Sequence, residues 1–346
     1  MNLMREQGAF VKILFFISVF FLSFNACNFT VSLPGYGKYT LSDTLVITVK
    51  DKKDRMDSLS LFSQYGVFSG YYDKGKLYIA CDRILPGYND LFLNAYLNNG
   101  RIVKRDFRVF IVSDIIPEKY KFKEVMTLPH DTASFTQGLL FRNGMLFEST
   151  GLKGKSELKL IDADNGNVIR SKHTDRNLFN EGISLIGDTL YQLTWKDSVM
   201  IVYDTLFNEK YRFSIPVEGW GMFSLNDILY ISDGSNKIMQ FDPVTRTFTD
   251  TIWVSDDKGP VRAINEMEWV KGKIWVNIYG KDKVYVIDPG SGKVESVISG
   301  DELIDRKKYP FAGVMNGIAY DPDNGYIYLT GKNWPYFKVC SLDFGE

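Results

Sequence analysis

The sequence predicts an all-β protein, a β-sandwich followed by a five-bladed β-propeller closed by its own N-terminal strand. Three observations carry this reading. Strand-forming residues dominate, and no long stretch beyond the N terminus shows clean helical periodicity. A large polar or aromatic residue just ahead of an apolar run recurs at Gln137, Glu181, Trp220, Asn265 and Asn316, in steps of 44, 39, 45 and 51 residues. A period of about 40–50 residues built from short strands is that of propeller blades. Ahead of the repeats, about seven short strand-like runs occupy about ninety residues, which suits a sandwich.

Composition narrows the function. The chain has 346 residues, 45% hydrophobic and 15% aromatic, enough to fill a sizeable core. A net charge of -1 gives no electrostatic footprint for nucleic acid. With only two histidines, His130 and His173, and no His/Cys cluster, a catalytic zinc site has no ligand set. Cys81 and Cys340 fall in different predicted units and read as buried free thiols.

Residues 1–26 read as a targeting segment. Arg5 and Lys12 supply positive charge, and Ile13 to Phe24 is an apolar run too short to span a bilayer. It ends Ser23-Phe24-Asn25-Ala26-Cys27, which resembles a bacterial lipobox. The expectation is an exported protein anchored to a membrane by lipid on Cys27, periplasmic or at the cell surface.

Residues 28 to about 117 form the sandwich. Strands are predicted at 44–49, 58–62, 76–80, 91–96 and 103–112, with a hairpin turn at Asn98-Asn99-Gly100. Leu85-Pro86-Gly87 and the turn before the last strand resemble bacterial immunoglobulin-like modules. No chemistry is evident there. Residues 117–121 read as a linker.

The propeller spans 122–346. Four blades of four strands start near Gly138, Gly182, Gly221 and Glu266, separated by turns such as Asn143-Gly144 and Asn165-Gly166. The fifth offers three strands, 317–320, 326–330 and 336–342, before the chain ends. The run 122–128 is the donor of the missing strand, closing the ring and removing an open edge.

Strands within a blade alternate in direction, so first-strand starts and second-strand ends share a face. That face gathers Gln137, Glu181, Trp220, Asn265 and Asn316 with Trp195, Tyr279, Lys332 and Trp334. A carboxylate, an ammonium, amides and aromatics around one funnel make a small-molecule pocket. Turn-forming and blade-packing roles compete for most of these residues. Glu181 stands apart, because a carboxylate facing a channel is costly without a partner or a task.

Nine motifs in order now resemble one family. They are Phe135-Thr136-Gln137-Gly138-Leu139, Glu148-Ser149-Thr150-Gly151, Phe179-Asn180-Glu181-Gly182, Gln192-Leu193-Thr194-Trp195-Lys196, Glu218-Gly219-Trp220-Gly221, Ser232-Asp233-Gly234-Ser235, Asn265-Glu266-Met267-Glu268, Asn316-Gly317-Ile318-Ala319-Tyr320 and Thr330-Gly331-Lys332-Asn333-Trp334-Pro335. Together, over about residues 122–342, they resemble the plant and bacterial glutaminyl-peptide cyclotransferases, zinc-independent five-bladed propellers. The resemblance implies conversion of N-terminal glutamine in peptides or proteins to pyroglutamate with release of ammonia. It implies Glu181 as general acid/base, and Lys332, Asn265 and Gln137 as holders of the substrate amide and developing oxyanion. Phe135, Phe179, Trp195, Trp220 and Tyr279 then wall the pocket, with Asn316 also contacting substrate. The chain departs from the family's pattern at Tyr279, more often tryptophan, and at Asn180, usually more apolar.

On this reading the protein is a monomer that needs no cofactor, although the channel could hold a structural ion such as calcium. Two alternatives stay open: a propeller that binds peptide or sugar without turnover, and a metal-dependent lactonase type. In the second, Lys332 would repel the metal.

Overall fold

The computed structural model describes residues 29–32, 37–51 and 55–345; the targeting segment and Cys27 lie outside them. The described residues form an all-β protein with no α-helix.

Nine strands before residue 113 make two sheets. Phe29–Ser32, Thr44–Asp51, Lys76–Ala80 and Tyr71–Asp73 form one, in that spatial order. Lys38–Thr40, Ile102–Val112, Gly87–Leu97, Met56–Ser63 and Gly66–Phe68 form the other. The cause is period-2 patterning. Leu45, Ile47 and Val49 alternate inward on one sheet, Leu91, Leu93, Ala95 and Leu97 on the other, and they share one core with Leu77, Ile79 and Ile111. Nine strands replace the expected seven because four of them, three or four residues long, are too short to show alternation. Cys81 is buried in this core and Cys340 in another, and both are free.

The remainder repeats a four-strand antiparallel unit. Thr136–Arg142, Met145–Thr150, Glu157–Asp162 and Val168–His173 pair in sequence order. So do Asn180–Ile186, Thr189–Thr194, Val199–Asp204 and Glu209–Ser214, and then Met222–Leu225, Ile228–Ser232, Lys237–Asp242 and Thr247–Trp253. A larger sheet contains Ile264–Val270, Lys273–Ile278, Lys283–Ile287 and Val294–Ser299 at one end, and Met315–Asp321, Tyr326–Gly331 and Tyr336–Gly345 at the other. The first strand of each unit packs on the first strands of its two neighbours, and the last returns to the first, so the units close a ring.

Glu118–Pro129 joins the two ends of the larger sheet. Lys121 to Pro129 runs antiparallel to Tyr336–Gly345, which supplies the fourth strand of the last unit. Glu118 to Lys121 instead pairs in parallel with Ser296 to Ser299 of the preceding unit. The linker expected at 117–121 is therefore largely strand. Two register shifts, between Lys121 and Lys123 and between Glu124 and Met126, let one strand turn from one unit to the next.

A two-strand hairpin, Ser255–Asp256 with Gly259–Pro260, fastens the ring to the sandwich. Ser113 N–H donates to Asp256 O (2.9 Å), Lys38 Nζ to Asp257 O (2.6 Å), and Lys293 pairs with Asp114 at 2.6 Å. Two-residue strands leave no sequence pattern, and the hairpin was not foreseen.

Candidate active site

The ring places its five repeat positions by one local device. In each unit, two residues at the start of the first strand face one residue on the second. The pairing slips between Thr136 and Gly138, Asn180 and Ile183, Ile264 and Met267, and Met315 and Ile318. In the third unit Ser232 accepts from Trp220 N–H and donates to Gly221 O. A bulge re-aims the side chain it carries, here Gln137, Glu181, Trp220, Asn265 or Asn316. Glycine follows where backbones meet around the axis. A Cβ on Gly182 would lie 2.8 Å from Met222 N, and one on Gly221 only 2.0 Å from Asn265 O.

Polar residues on the second strands lock the device. Ser149 Oγ donates to Glu181 O (2.7 Å), Ser232 Oγ to Asn265 O (2.8 Å), and Asn277 Oδ1 accepts from Gly317 N–H (2.9 Å). Each bond ties one unit to the next.

Nine side chains line one cavity of about 300 Å³: Phe135, Gln137, Phe179, Glu181, Trp195, Trp220, Asn265, Tyr279 and Lys332. The aromatic wall is continuous over most of its circuit. Trp195 meets Phe179 at 5.5 Å between ring centroids and Phe179 meets Phe135 at 6.3 Å, both edge to face. Lys332 Nζ sits 4.6 Å from the Phe135 centroid and 5.2 Å from that of Tyr279, and Tyr279 packs edge to face on Trp220 at 5.8 Å. Lys332 thus bridges two aromatic groups as a cation over their faces.

Asn316, expected to touch substrate, stands behind this wall. Its Nδ2 donates to Thr136 O (2.9 Å) and to Gln137 Oε1 (3.2 Å). That commits the Gln137 oxygen and leaves its amide N–H groups for the cavity. Trp334 is likewise structural: it is fully buried, and its indole N–H donates to Gly313 O. Asn265 Oδ1 is buried with no donor among the described residues, as is Asn316 Oδ1 behind the wall; of the two residues, only Asn265 lines the cavity.

Glu181 and Lys332 are 5% and 6% exposed. Burial pushes the Glu181 carboxyl well above its ordinary value, and the Lys332 charge only partly offsets this. Burial pushes Lys332 down to about 8, against the opposing pull of Glu181. Two groups that normally titrate far apart are thus drawn towards one another, as at sites that move protons.

Sequence reasoning missed Glu266. It is 1% exposed and accepts from the N–H groups of Ile318 (2.8 Å) and Leu139 (3.4 Å), pinning first strands together across the ring. Burial foremost, and then the neighbouring charge of Glu268, raise its pKa well above the usual carboxylate range. The available signal was two carboxylates at alternate positions of a core strand, 266 and 268, which share one face.

The glutamine cyclotransferase family model matches residues 108–340. The chain belongs to the glutamine cyclotransferase family. It is 35% identical to a glutaminyl-peptide cyclotransferase of Arabidopsis thaliana over 224 residues, which is 63% of this chain and 70% of the plant protein. It also matches the crystal structure of Myxococcus xanthus glutaminyl cyclase at 32% identity, with a TM-score of 0.61. That match covers 66% of this chain and all of the bacterial one. The ring of this cyclotransferase is accordingly a β-propeller, and its cavity lies within the matched residues.

Proposed function

We propose that Glu181 is the proton shuttle with which this enzyme, a glutaminyl-peptide cyclotransferase, converts N-terminal glutamine to pyroglutamate. The observation that carries the assignment is a buried carboxylate and a buried ammonium in one cavity, both moved towards neutrality by desolvation. The substrate's α-amine attacks its own side-chain amide carbon. A C–N bond forms, the bond to the amide nitrogen breaks, and ammonia leaves. Glu181 takes the proton that the amine loses and returns it to the departing nitrogen. Lys332 and the free amide N–H groups of Gln137 stabilise the oxyanion, and Asn265 Oδ1 accepts from the substrate. The aromatic wall excludes water that would otherwise hydrolyse the amide.

The sheet order supports five blades of four strands, with Lys121 to Pro129 completing the fifth. The two facing sheets before residue 113 support an immunoglobulin-like sandwich. Export and a lipid anchor at Cys27 follow from the lipobox-like run ending Ala26-Cys27. Loss of membrane association in Cys27→Ser would support that anchor, and unchanged membrane partitioning would refute it.

The reaction is tested by incubating the mature protein with a Gln-initiated dipeptide and following ammonia together with the mass of the product. Stoichiometric ammonia and a pyroglutamyl product are expected. Peptide bound without ammonia release would make this a binding propeller.

A further inference from the structure

The family model begins at residue 108, so most of the sandwich lies ahead of it, yet the sandwich completes a second concavity beside the active site. A groove of about 370 Å³ runs between sandwich and ring. Tyr65, Tyr88 and Phe110 line it from the sandwich, and Trp253, Asn236 and Arg262 from the ring. Its rings are partly assembled already: Tyr88 lies 4.5 Å from Phe110 between centroids, and Tyr65 lies 6.4 Å edge-on from Trp253, across the seam. Tyr88 is 74% and Tyr65 58% exposed. Arg262 is exposed and makes no hydrogen bond or ion pair among the described residues.

The groove adjoins the catalytic cavity across the backbone around Gly234 and Ala263. Trp220, a cavity wall, rests on Gly234, where an added Cβ would meet its ring at 2.7 Å. Gly234 O accepts from Ala263 N–H at 2.8 Å. Two residues beyond Gly234 is Asn236, and one before Ala263 is Arg262, both on the groove. Arg262 is three residues from Asn265 of the cavity, a span of at most about 10 Å. The hairpin that fixes this geometry also holds the sandwich: Gly259 packs on the Phe110 ring and Pro260 on Gly87.

We propose that the groove binds the substrate polypeptide beyond about its third residue, so that the sandwich gives the enzyme a preference for longer chains with apolar side chains at about positions four to seven. The inference rests on the cyclotransferase reading of the adjoining cavity. A glutamine seated there leaves its C-terminal chain at the cavity mouth, and about three extended residues cross the ridge of Trp220 and Ala263. Beyond it the aromatic rings take apolar side chains, and Arg262 donates to backbone carbonyls.

The test compares a Gln-initiated dipeptide with a Gln-initiated peptide of about eight residues carrying Leu and Phe from the fourth position, using the full mature chain. Wild type should show a higher kcat/KM on the long peptide. The exposed pair Tyr65→Ala/Tyr88→Ala should lower that value about tenfold through KM, leaving dipeptide turnover unchanged. Equal kcat/KM on the two peptides in wild type, or equal losses on both in the variant, would overturn the proposal. So would a variant whose only change is loss of self-association, which would give the groove to a second copy. If neither peptide yields ammonia, the cyclotransferase reading fails instead, and titration with the long peptide decides the groove. Weaker binding by the pair variant would sustain it, and unchanged binding would end it.

Discussion

Lys332 has the most delicate assignment of any residue in the cavity. It must be cationic to stabilise an oxyanion, yet it is buried and over two aromatic rings. Burial brings its pKa down to about 8, so its charge is lost as pH rises through that value. Glu181 runs the other way. Its raised pKa keeps it protonated to higher pH than an ordinary carboxyl, so the ionised base appears only as pH climbs. The substrate amine, with a pKa of about 8, must also be neutral. Turnover should therefore rise from acid pH, peak near neutrality or slightly above, and fall on the alkaline side, with macroscopic limbs belonging to the coupled pair. Lys332→Met should lower kcat by about 10²–10³-fold, as for a lost oxyanion donor. It should also abolish the alkaline limb and move the acid limb upward, because the charge that holds Glu181 down is gone. A profile with both limbs intact in Lys332→Met would show that its ammonium takes no part. Added chelator should leave turnover unchanged, since no step of the proposed mechanism runs through a metal.

At the scale of elements, the seam where the ring closes carries a buried charge network. His130 Nε2 lies 2.9 Å from Glu148 Oε1, and both side chains are essentially inaccessible. Thr136 Oγ1 donates to the same carboxylate at 2.7 Å, while His130 Nδ1 lies 2.9 Å from Trp334 O, two residues past Lys332. Burial alone would raise the Glu148 pKa. The His130 charge and hydrogen bond, the Thr136 hydroxyl and Lys159 outweigh it and hold the carboxyl below its ordinary value. A depressed carboxyl contributes stability above its unfolded pKa and loses it as pH falls through the folded one. His130→Ala leaves Glu148 buried without its partner and should cost about 3–5 kcal/mol in urea unfolding. A loss below about 1 kcal/mol would mean the seam is held by the strand pairing alone. That pairing has its own test. A chain starting at Ser134 lacks Glu118–Pro129 and should be insoluble or strongly destabilised, and good folding of it would refute closure by this strand. The existence of these strands was legible because apolar alternation and Asn-Gly turns mark them. The seam was not: Glu118 to Lys121 is charged and reads as linker, and nothing local to His130 announces a partner 18 residues on. Bulges were equally silent, although the residues they aim were legible as a recurring polar position ahead of each apolar run.

For the whole molecule, the order of units along the chain could be read from the period of the repeats, but contacts between sandwich and ring could not. Those contacts depend on Ser255–Asp256 and Gly259–Pro260, whose pairing is too short to leave a pattern. Asn316 shows the same limit within the site: spacing places it with the other four repeat positions, and only the three-dimensional structure shows its amide nitrogen spent on Thr136 and Gln137. A chain starting at Glu118 keeps the closing strand and every cavity residue while losing the sandwich. It should fold and turn over a Gln-dipeptide at a rate close to the full chain. Failure of that chain to fold would make the sandwich part of the ring's own stability.

The central claim is that one buried carboxylate moves the proton. Glu181→Gln preserves shape and hydrogen bonding but cannot shuttle a proton. The decisive measurement is ammonia release from a Gln-initiated dipeptide by wild type and Glu181→Gln, with dipeptide affinity measured on both. The account predicts a fall in kcat of roughly 10²–10⁴-fold with affinity little changed. Wild-type turnover in Glu181→Gln would contradict it and require another base.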